Sequence, residues 1–487
     1  MFVAKLDPAG NWLWAVHAGG ISSDGGFGID LDSAGNVYVC GQFEGTAAFG
    51  GHTLTATPNG NNDPDGFVAK LDPAGNWLWA VSLPCTGYIS ARGLAVDGTG
   101  NCLVTGKFLN TANFGNEVLV SAGSSDVFVA KLDPAGNWLW AQRMGGTEVE
   151  NGYGIAVDGS GCAWICGNFQ GSVTVGAETL TSLGGFDIFA AKLNPDGNWL
   201  AAVRAGGPNT SDFIPDKATA IAIDSENNAY ITGNFQEYAC FGSTCFSSAG
   251  PYNADVYVAK LDPAGNWLWA VQATGTSTDS AYGICVDPNG LVSITGCFYE
   301  TIRFLGPGSL TSLGSIDVFA AQLDAGGNWL RAWRAGGIHI DAGHGIAASQ
   351  SGNIYLTGYF MATADFGDFP LTSQTGEDIF VACIGSQVAA NDDCLPPLAF
   401  LSRLDCHPNP FSTSTLISFE VGENRADCKL CIYDLRGGKI ATLHQGRLDR
   451  GKQEFVWSSP PELPAGIYLC RLKSATGSLA RRMVKLP

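Results

Sequence analysis

The chain repeats itself, and that repetition limits the fold more than any single motif. FVAKLDPAGNWLWA at Phe67 recurs in close variants at Phe2, Phe128, Phe189, Tyr257 and Phe319, and a truncated FVACIG begins at Phe380. The spacings are 65, 61, 61, 68, 62 and 61 residues. Phe67, Ala69 and Leu71 alternate with Val68 and Lys70, the period of a strand, and Asp72-Pro73-Ala74-Gly75 is turn chemistry. Trp77 and Trp79 open the return strand, and simple alternation places both indoles on one face. A second hairpin in each repeat, such as GIAVDGSGCAWICGNF from Gly154 to Phe169, completes a unit of four antiparallel strands. Such a unit cannot bury both of its faces alone.

Radial packing of these units solves that problem, so the expected fold is all-β: a β-propeller with six visible repeats and six or seven blades. GIAVD strands are expected innermost and WLWA strands outermost. Phe2 to Val16 either close the sixth blade as a clasp or are the outer half of a seventh. The two within-hairpin distances do not vary, whereas the strand 2 to 3 and strand 4 to 1 connections do. One rim is therefore tight turns and the other is long loops, the usual place for binding. The long loops share a pattern of their own, as in Thr111 to Asp126, consistent with a small extra hairpin.

Residues 1–385 form the propeller in this reading, 386–403 a Pro-containing linker, and 404–487 a small Ig-like β-sandwich. The formal charge is −19; residues from Leu404 onward carry +4, leaving −23 on the rest. An acidic body argues against nucleic acid as a partner. No apolar run is long enough for a transmembrane helix. Of 15 cysteines, Cys40 and Cys166 take the place of threonines in other repeats and read as small core residues. Cys240 with Cys245, and Cys394 with Cys406, are candidate pairs. Cys428 and Cys431 form a C-x-x-C in a strand-like setting with no redox or zinc context.

The repeat words GIAVD..GN.Y.TG and D.FVAKLDP.GNWLW resemble the bacterial SBBP-type propeller repeat, over about Phe2 to Gly385. That resemblance implies an exported protein and transfers no catalytic residue. The C-terminal segment resembles the sorting domain of type IX secretion cargo. The matching features are Pro408-Asn409-Pro410-Phe411, the Tyr433 to Gly438 turn, Gly466-Ile467-Tyr468, and basic Arg481, Arg482 and Lys485. It implies contact with the type IX machinery and a secreted or cell-surface location. Export also calls for a signal peptide, yet Met1 enters directly at strand 3 of a repeat, so the expectation is a truncated coding region.

An acid stands four residues before strand 1 in five of six repeats: Asp24, Glu150, Asp216, Asp279 and Asp341, with Ile89 breaking the series. Just before strand 1 lie Phe27, Arg92, Tyr153, Thr219, Tyr282 and His344. If the acids converge on the channel mouth they would suit Ca²⁺, and the aromatics a cationic or sugar ligand. The alternative is that each acid bonds the backbone of its own loop. His339, Asp341 and His344 lack an identifiable fourth metal ligand. The turn aspartate of LDPAGNW has the spacing of a sialidase Asp box with its Gly displaced, and is read as a hairpin device. No nucleophile elbow, P-loop or zincin motif appears. The expected function is a non-catalytic, exported scaffold binding a glycan or protein ligand; the alternative is a secreted glycan-processing enzyme using acids at the channel mouth.

Overall fold

In the computed structural model, residues 1–58, 63–208, 215–250, 253–385, 401–421, 426–434, 439–449, 451–460, 463–474 and 478–486 are described. Contacts divide the chain into two compact units, one holding most of Met1–Ile384 and the other Gly385–Pro487. The first unit is a β-propeller. Its first blade is an antiparallel sheet of Asp24–Leu31, Val37–Phe43, Asp65–Leu71 and Trp77–Leu83, in chain order from inside to outside. The GIAVD-type strands lie innermost and touch their counterparts in the neighbouring blades. The WLWA strands are outermost.

Among the described residues five blades have four strands, and the sixth has three, Ala342–Ala348, Ile354–Phe366 and Phe369–Ile384. Phe2–Leu6 and Trp12–His17 form their own two-stranded sheet, not joined to Phe369–Ile384. The sixth-blade clasp is therefore not formed. Trp14 donates its indole N–H to the Pro73 carbonyl at 3.1 Å, as Trp79 does to Pro134 and Trp140 to Pro195. The pair thus stands before the first blade as the outer half of another. The inner-strand face beyond it stays open: Ile29 is 62% exposed, whereas the equivalent Leu94 is 7% exposed.

The two indoles of each return strand do not share a face. Lys70 pairs with Trp79 and Leu71 with Trp77, so Leu78 is a bulge residue. One extra residue reverses the alternation. Trp77 packs edge-on against Phe49 of its own blade at 5.3 Å, while Trp79 packs with Tyr38 at 6.0 Å and reaches the next blade. The bulge also explains why Leu78, Leu139, Leu200 and Leu268 are all exposed.

The invariant turns are closed by their own aspartates. Asp72 Oδ1 accepts from the Ala74 and Asn76 amides, and Oδ2 accepts from the Asn76 side chain. That geometry is a hairpin device, as the displaced Asp box suggested. Strand 3 lysines then tie the rim together. Lys131 pairs with Asp97 at 3.0 Å, both nearly buried, and also reaches the Pro195 carbonyl of the next blade at 3.5 Å. Lys70–Asp32, Lys192–Asp158 and Lys260–Asp224 repeat the pair at 3.2–3.4 Å.

On the other rim, much of each long strand 2 to 3 connection is a hairpin, such as Thr111–Phe114 with Glu117–Val120. It bridges back to the preceding blade through Cys85 and Ala112, with equivalents at Gly19–Ala48 and Gly206–Cys240. Cys240 and Cys245 form a disulfide across one of these hairpins. Cys40 and Cys166 are buried in blade cores.

The second unit is a sandwich of two sheets, one of Leu401–His407, Ser414–Val421 and Gly451–Ser458, the other of Lys439–Leu448, Ala426–Asp434, Gly466–Ser474 and Ser478–Lys485. Ile417, Phe419, Leu430, Ile432, Trp457 and Leu472 fill its core. Cys428 and Cys431 are both buried, the latter beside Thr442 Oγ1 at 3.5 Å. Cys394 lies outside the described residues, and Cys406 sits beside Cys470.

Removing one half of the lysine–aspartate clamp leaves a buried charge alone, so Lys131→Met should cost about 3 kcal/mol of unfolding free energy. Adding Asp97→Asn to that variant should recover much of the loss. Chemical denaturation of both checks this, and equal stability of the two variants would mean that the ion pair contributes nothing.

Candidate functional site

The five acids singled out in the sequence lie in five separate blades and are held by backbone amides; those of Gly146 and Gly337, which hold Glu150 and Asp341, end the outer strand of the preceding blade. Asp24 Oδ2 accepts from Gly20 N at 2.6 Å, Glu150 Oε2 from Gly146 N at 3.0 Å, and Asp216 Oδ1 from Gln236 N at 2.8 Å. Asp279 Oδ1 accepts from Tyr299 N at 3.2 Å; Asp341 accepts from Gly337 N and Met361 N at 2.7 and 3.1 Å. Glu150, Asp216, Asp279 and Asp341 are fully buried. Among the described residues no three His, Cys, Asp or Glu side chains gather as a metal site. That includes His339, Asp341 and His344, because Asp341 is turned into its blade.

Three of the acids instead sit near a second buried carboxylate at the first position of the preceding blade's strand 3, which sequence reasoning passed over: Glu150 near Asp126, Asp279 near Asp255 and Asp341 near Asp317. Buried Asp65 and Asp187 hold the same strand 3 position. Their recurrence in the word D.FVAKL was the available signal. A glycine at the end of strand 4 makes the approach possible: a Cβ on Gly336 would lie 2.7 Å from Asp317 Cγ and 2.9 Å from Asp341 Oδ2. Arginines relieve three blades, through Arg143–Asp126, Arg204–Asp187 at 2.6 Å and Arg334–Asp317 at 2.9 Å.

In the fourth blade Gln272 takes the arginine's place, and among the described residues the pair formed by Asp255 and Asp279 of the next blade has no cation. Asp255 Oδ2 and Asp279 Oδ2 accept no hydrogen bond among the described residues. Burial, followed by repulsion from Asp255, pushes the Asp279 carboxyl up to about 9. Burial raises Asp255 to about 6 and Glu150 to about 8. Asp279 and Glu150 are thereby accommodated by holding protons at neutral pH. The tight-turn rim behaves oppositely. Burial would raise Asp97, but bonds from Asn101, Thr99 and Lys131 outweigh it and hold that carboxyl well below the usual range.

With the acids turned inward, other groups line the inner edge. Every inner strand skips one residue in its pairing: Phe27, Arg92, Tyr153, Thr219, Tyr282 and His344. A bulge re-aims its side chain out of the ladder. These residues meet from blade to blade. The Arg92 guanidinium lies over the Phe27 ring at 4.4 Å, and the Tyr282 and His344 rings stack at 4.8 Å. Thr219 Oγ1 donates to the Ala281 carbonyl at 2.7 Å. Lys107 lies over Tyr88 at 5.5 Å, and Lys217 over Tyr282 at 6.0 Å. Tyr88 donates to Gln42 Oε1 of the first blade at 2.9 Å. All of this lies where strand 1 begins and strand 2 ends, at the long-loop rim.

In the C-terminal unit the sorting-motif residues form one packed group around the last strand. Asn409 Nδ2 donates to the Arg482 carbonyl at 2.7 Å, and Val484 N donates to Asn409 Oδ1 at 2.8 Å. Phe411 is buried against Trp457, and its amide donates to the Val484 carbonyl at 2.9 Å. Thr415 Oγ1 donates to the Pro408 carbonyl at 2.8 Å. Pro410 is exposed between these anchors. Gly466 pairs with Lys485, which is itself buried, and Tyr468 donates to the Pro464 carbonyl at 2.7 Å. The Arg481 and Arg482 side chains are exposed. Residues 435–438 of the motif turn lie outside the described residues.

Fold and motif together define a β-propeller that ends in a type IX secretion sorting domain. Residues 405–486 match the family described as "Secretion system C-terminal sorting domain". This implies export, and no helix is long and apolar enough to cross a membrane. Among curated proteins, the chain is 23% identical over 431 residues to an uncharacterized WD repeat-containing protein, L264, of Acanthamoeba polyphaga mimivirus, covering 74% of this chain and 31% of that protein. It is 23% identical over 343 residues to the regulatory protein FlaEY of Caulobacter vibrioides, covering 66% of this chain and 35% of that one. The chain therefore spans about a third of the length of these relatives. Among solved structures, YCF48 bound to D1 peptide aligns with 83% of this chain and 92% of its own, at 9% identity and a TM-score of 0.35. Dimeric latent PorU from Porphyromonas gingivalis aligns with 81% of this chain and 32% of its own, at 9% identity and a TM-score of 0.16.

The two rims predict a stability optimum on the acid side of neutral. The depressed turn carboxylates contribute stability above their unfolded pKa near 4, lost on acidification; the raised ones contribute below it, lost as pH rises through about 6 to 9. Asp279→Asn should flatten the alkaline limb, gaining about 1–2 kcal/mol over the wild type at pH 8 and little at pH 5. A bare pair supplies too few oxygens for Ca²⁺, which takes six to eight. Melting curves in chelator and in millimolar Ca²⁺ should therefore superimpose, and a Ca²⁺-dependent rise abolished by Asp279→Asn would assign the pair to a cation instead.

Proposed function

We propose that this chain is an exported, non-catalytic propeller scaffold of the SBBP-repeat type. It binds a glycan or protein ligand at its long-loop rim and is delivered by the type IX machinery through its C-terminal domain. The observation that carries this reading is the row of six bulge residues, mostly aromatic or cationic, turned toward the inner edge. Polar and aromatic groups converging at the variable rim of a rigid scaffold are the ordinary form of a recognition site. The rival reading, a glycan-processing enzyme, needs a pair of carboxyls within reach of a substrate. Glu150, Asp216, Asp279 and Asp341 are buried and bonded to backbone amides, which favours binding over hydrolysis. No cofactor enters the proposal.

A glycan array probed with the full chain, with hydrolysis assays on the pooled ligands, tests the reading: retention of a defined glycan set without product release is expected. Turnover would favour the enzyme. In a host with type IX secretion, deleting 404–487 should leave the propeller in the periplasm, whereas unchanged surface display would count against the sorting role.

A further inference from the structure

Up to Gly385 the chain has thirteen lysines and arginines against thirty-five aspartates and glutamates. Among the described residues seven of those cations pair with buried or half-buried aspartates: Lys70, Lys131, Lys192 and Lys260 at the tight-turn rim, and Arg143, Arg204 and Arg334 at the other. In so acidic a unit, a cation at the inner edge without a carboxylate calls for an explanation. Arg92, Lys107 and Lys217 have none within ion-pair distance among the described residues.

Two of the three sit together. Arg92 is the bulge residue of the second blade's inner strand, and Lys107 lies opposite Ser90 on the adjoining strand. Burial comes first in lowering the Lys107 ammonium, and repulsion from Arg92 adds to it. Both side chains are half-buried, so each keeps part of its surface toward solvent. Aromatic rings hold them: Phe27 beneath Arg92 and Tyr88 beneath Lys107. Gln42 fixes the Tyr88 hydroxyl, and Tyr153 is the next bulge residue along the edge. Like charges held together at a partly desolvated site form a standing invitation to an anion. Arginine's planar fork suits a carboxylate or sulfate in particular.

We propose that Arg92 and Lys107 form the anion-recognising end of the site and that its ligand is an acidic glycan. This deepens the binding-scaffold reading and rests on it. The row of rings that continues through Tyr153 and the Tyr282–His344 stack supplies flat faces to which sugar C–H groups can pack. An acidic peptide satisfies the cations but offers the rings nothing comparable.

The test is titration calorimetry of the full chain with a hexagalacturonate, a neutral hexasaccharide of equal length and hexaglutamate, at low and moderate salt. The uronate should bind best, and its affinity should fall as salt rises. Arg92→Gln with Lys107→Gln should lose at least tenfold in uronate affinity while the melting temperature stays level or rises, because the repulsion is gone. If the neutral sugar binds as well as the uronate, and the double variant retains it, the anion inference fails while the scaffold reading stands. If hexaglutamate binds more tightly than the uronate, the glycan assignment is wrong. If none of the three binds and the array is also blank, both readings fall.

Discussion

Proline carbonyls in the outer turns of the first four blades, with Ala325 in their place in the fifth, hold this propeller together. Pro134 and Pro195 each lie in the outer turn of a blade and accept two donors from the blade before: a lysine ammonium and an indole N–H. A carbonyl has two lone pairs, so both bonds form without competition. The same lysine neutralises the aspartate that closes its own blade's inner turn. Turn, blade and neighbour are thereby coupled through one ammonium group. That is why LDPAGNW and its lysine recur so faithfully and why neither hairpin length can vary. The third blade departs from the pattern: Ala201 stands where the second tryptophan would be, and Trp164, fully buried, comes close to Gly265 of the next blade.

Charge is divided by rim. At the tight-turn rim Asp32, Asp97, Asp158 and Asp224 each have a lysine and backbone amides. At the long-loop rim acids of neighbouring blades approach across a glycine, and three blades place an arginine there. This arrangement removes acids from the inner edge. What remains there is aromatic and positive, in place of the acidic ring that was one of two readings of the sequence. Net charge describes the whole unit but not the sign of a particular surface.

Much of the fold was legible because its period is long and its hairpins constant. Strand order, the inner position of GIAVD and the outer position of WLWA follow from turn chemistry and alternation. What was not legible came from single-residue bulges. Leu78 reverses the faces of Trp77 and Trp79, and the skipped residue in each inner strand turns Phe27, Arg92 and Tyr153 away from the ladder. Nothing in an alternating pattern marks an unpaired residue. The position of the six inner residues was noticed but their aim was not. The acids' shared sequence position allowed either a ring at the channel mouth or bonding to nearby backbone, and the amides that hold them match the second.

The central claim is that one rim is scaffold and the other recognises ligand. Hydrogen–deuterium exchange of the full chain with and without a bound acidic oligosaccharide addresses it most directly. Slowed exchange should be confined to peptides spanning Tyr88 to Arg92, Gly106 to Lys107 and Gly152 to Gly154, with the LDPAGNW turns protected equally in both states. Ligand-dependent protection at those turns, with none at the bulges, would contradict the account.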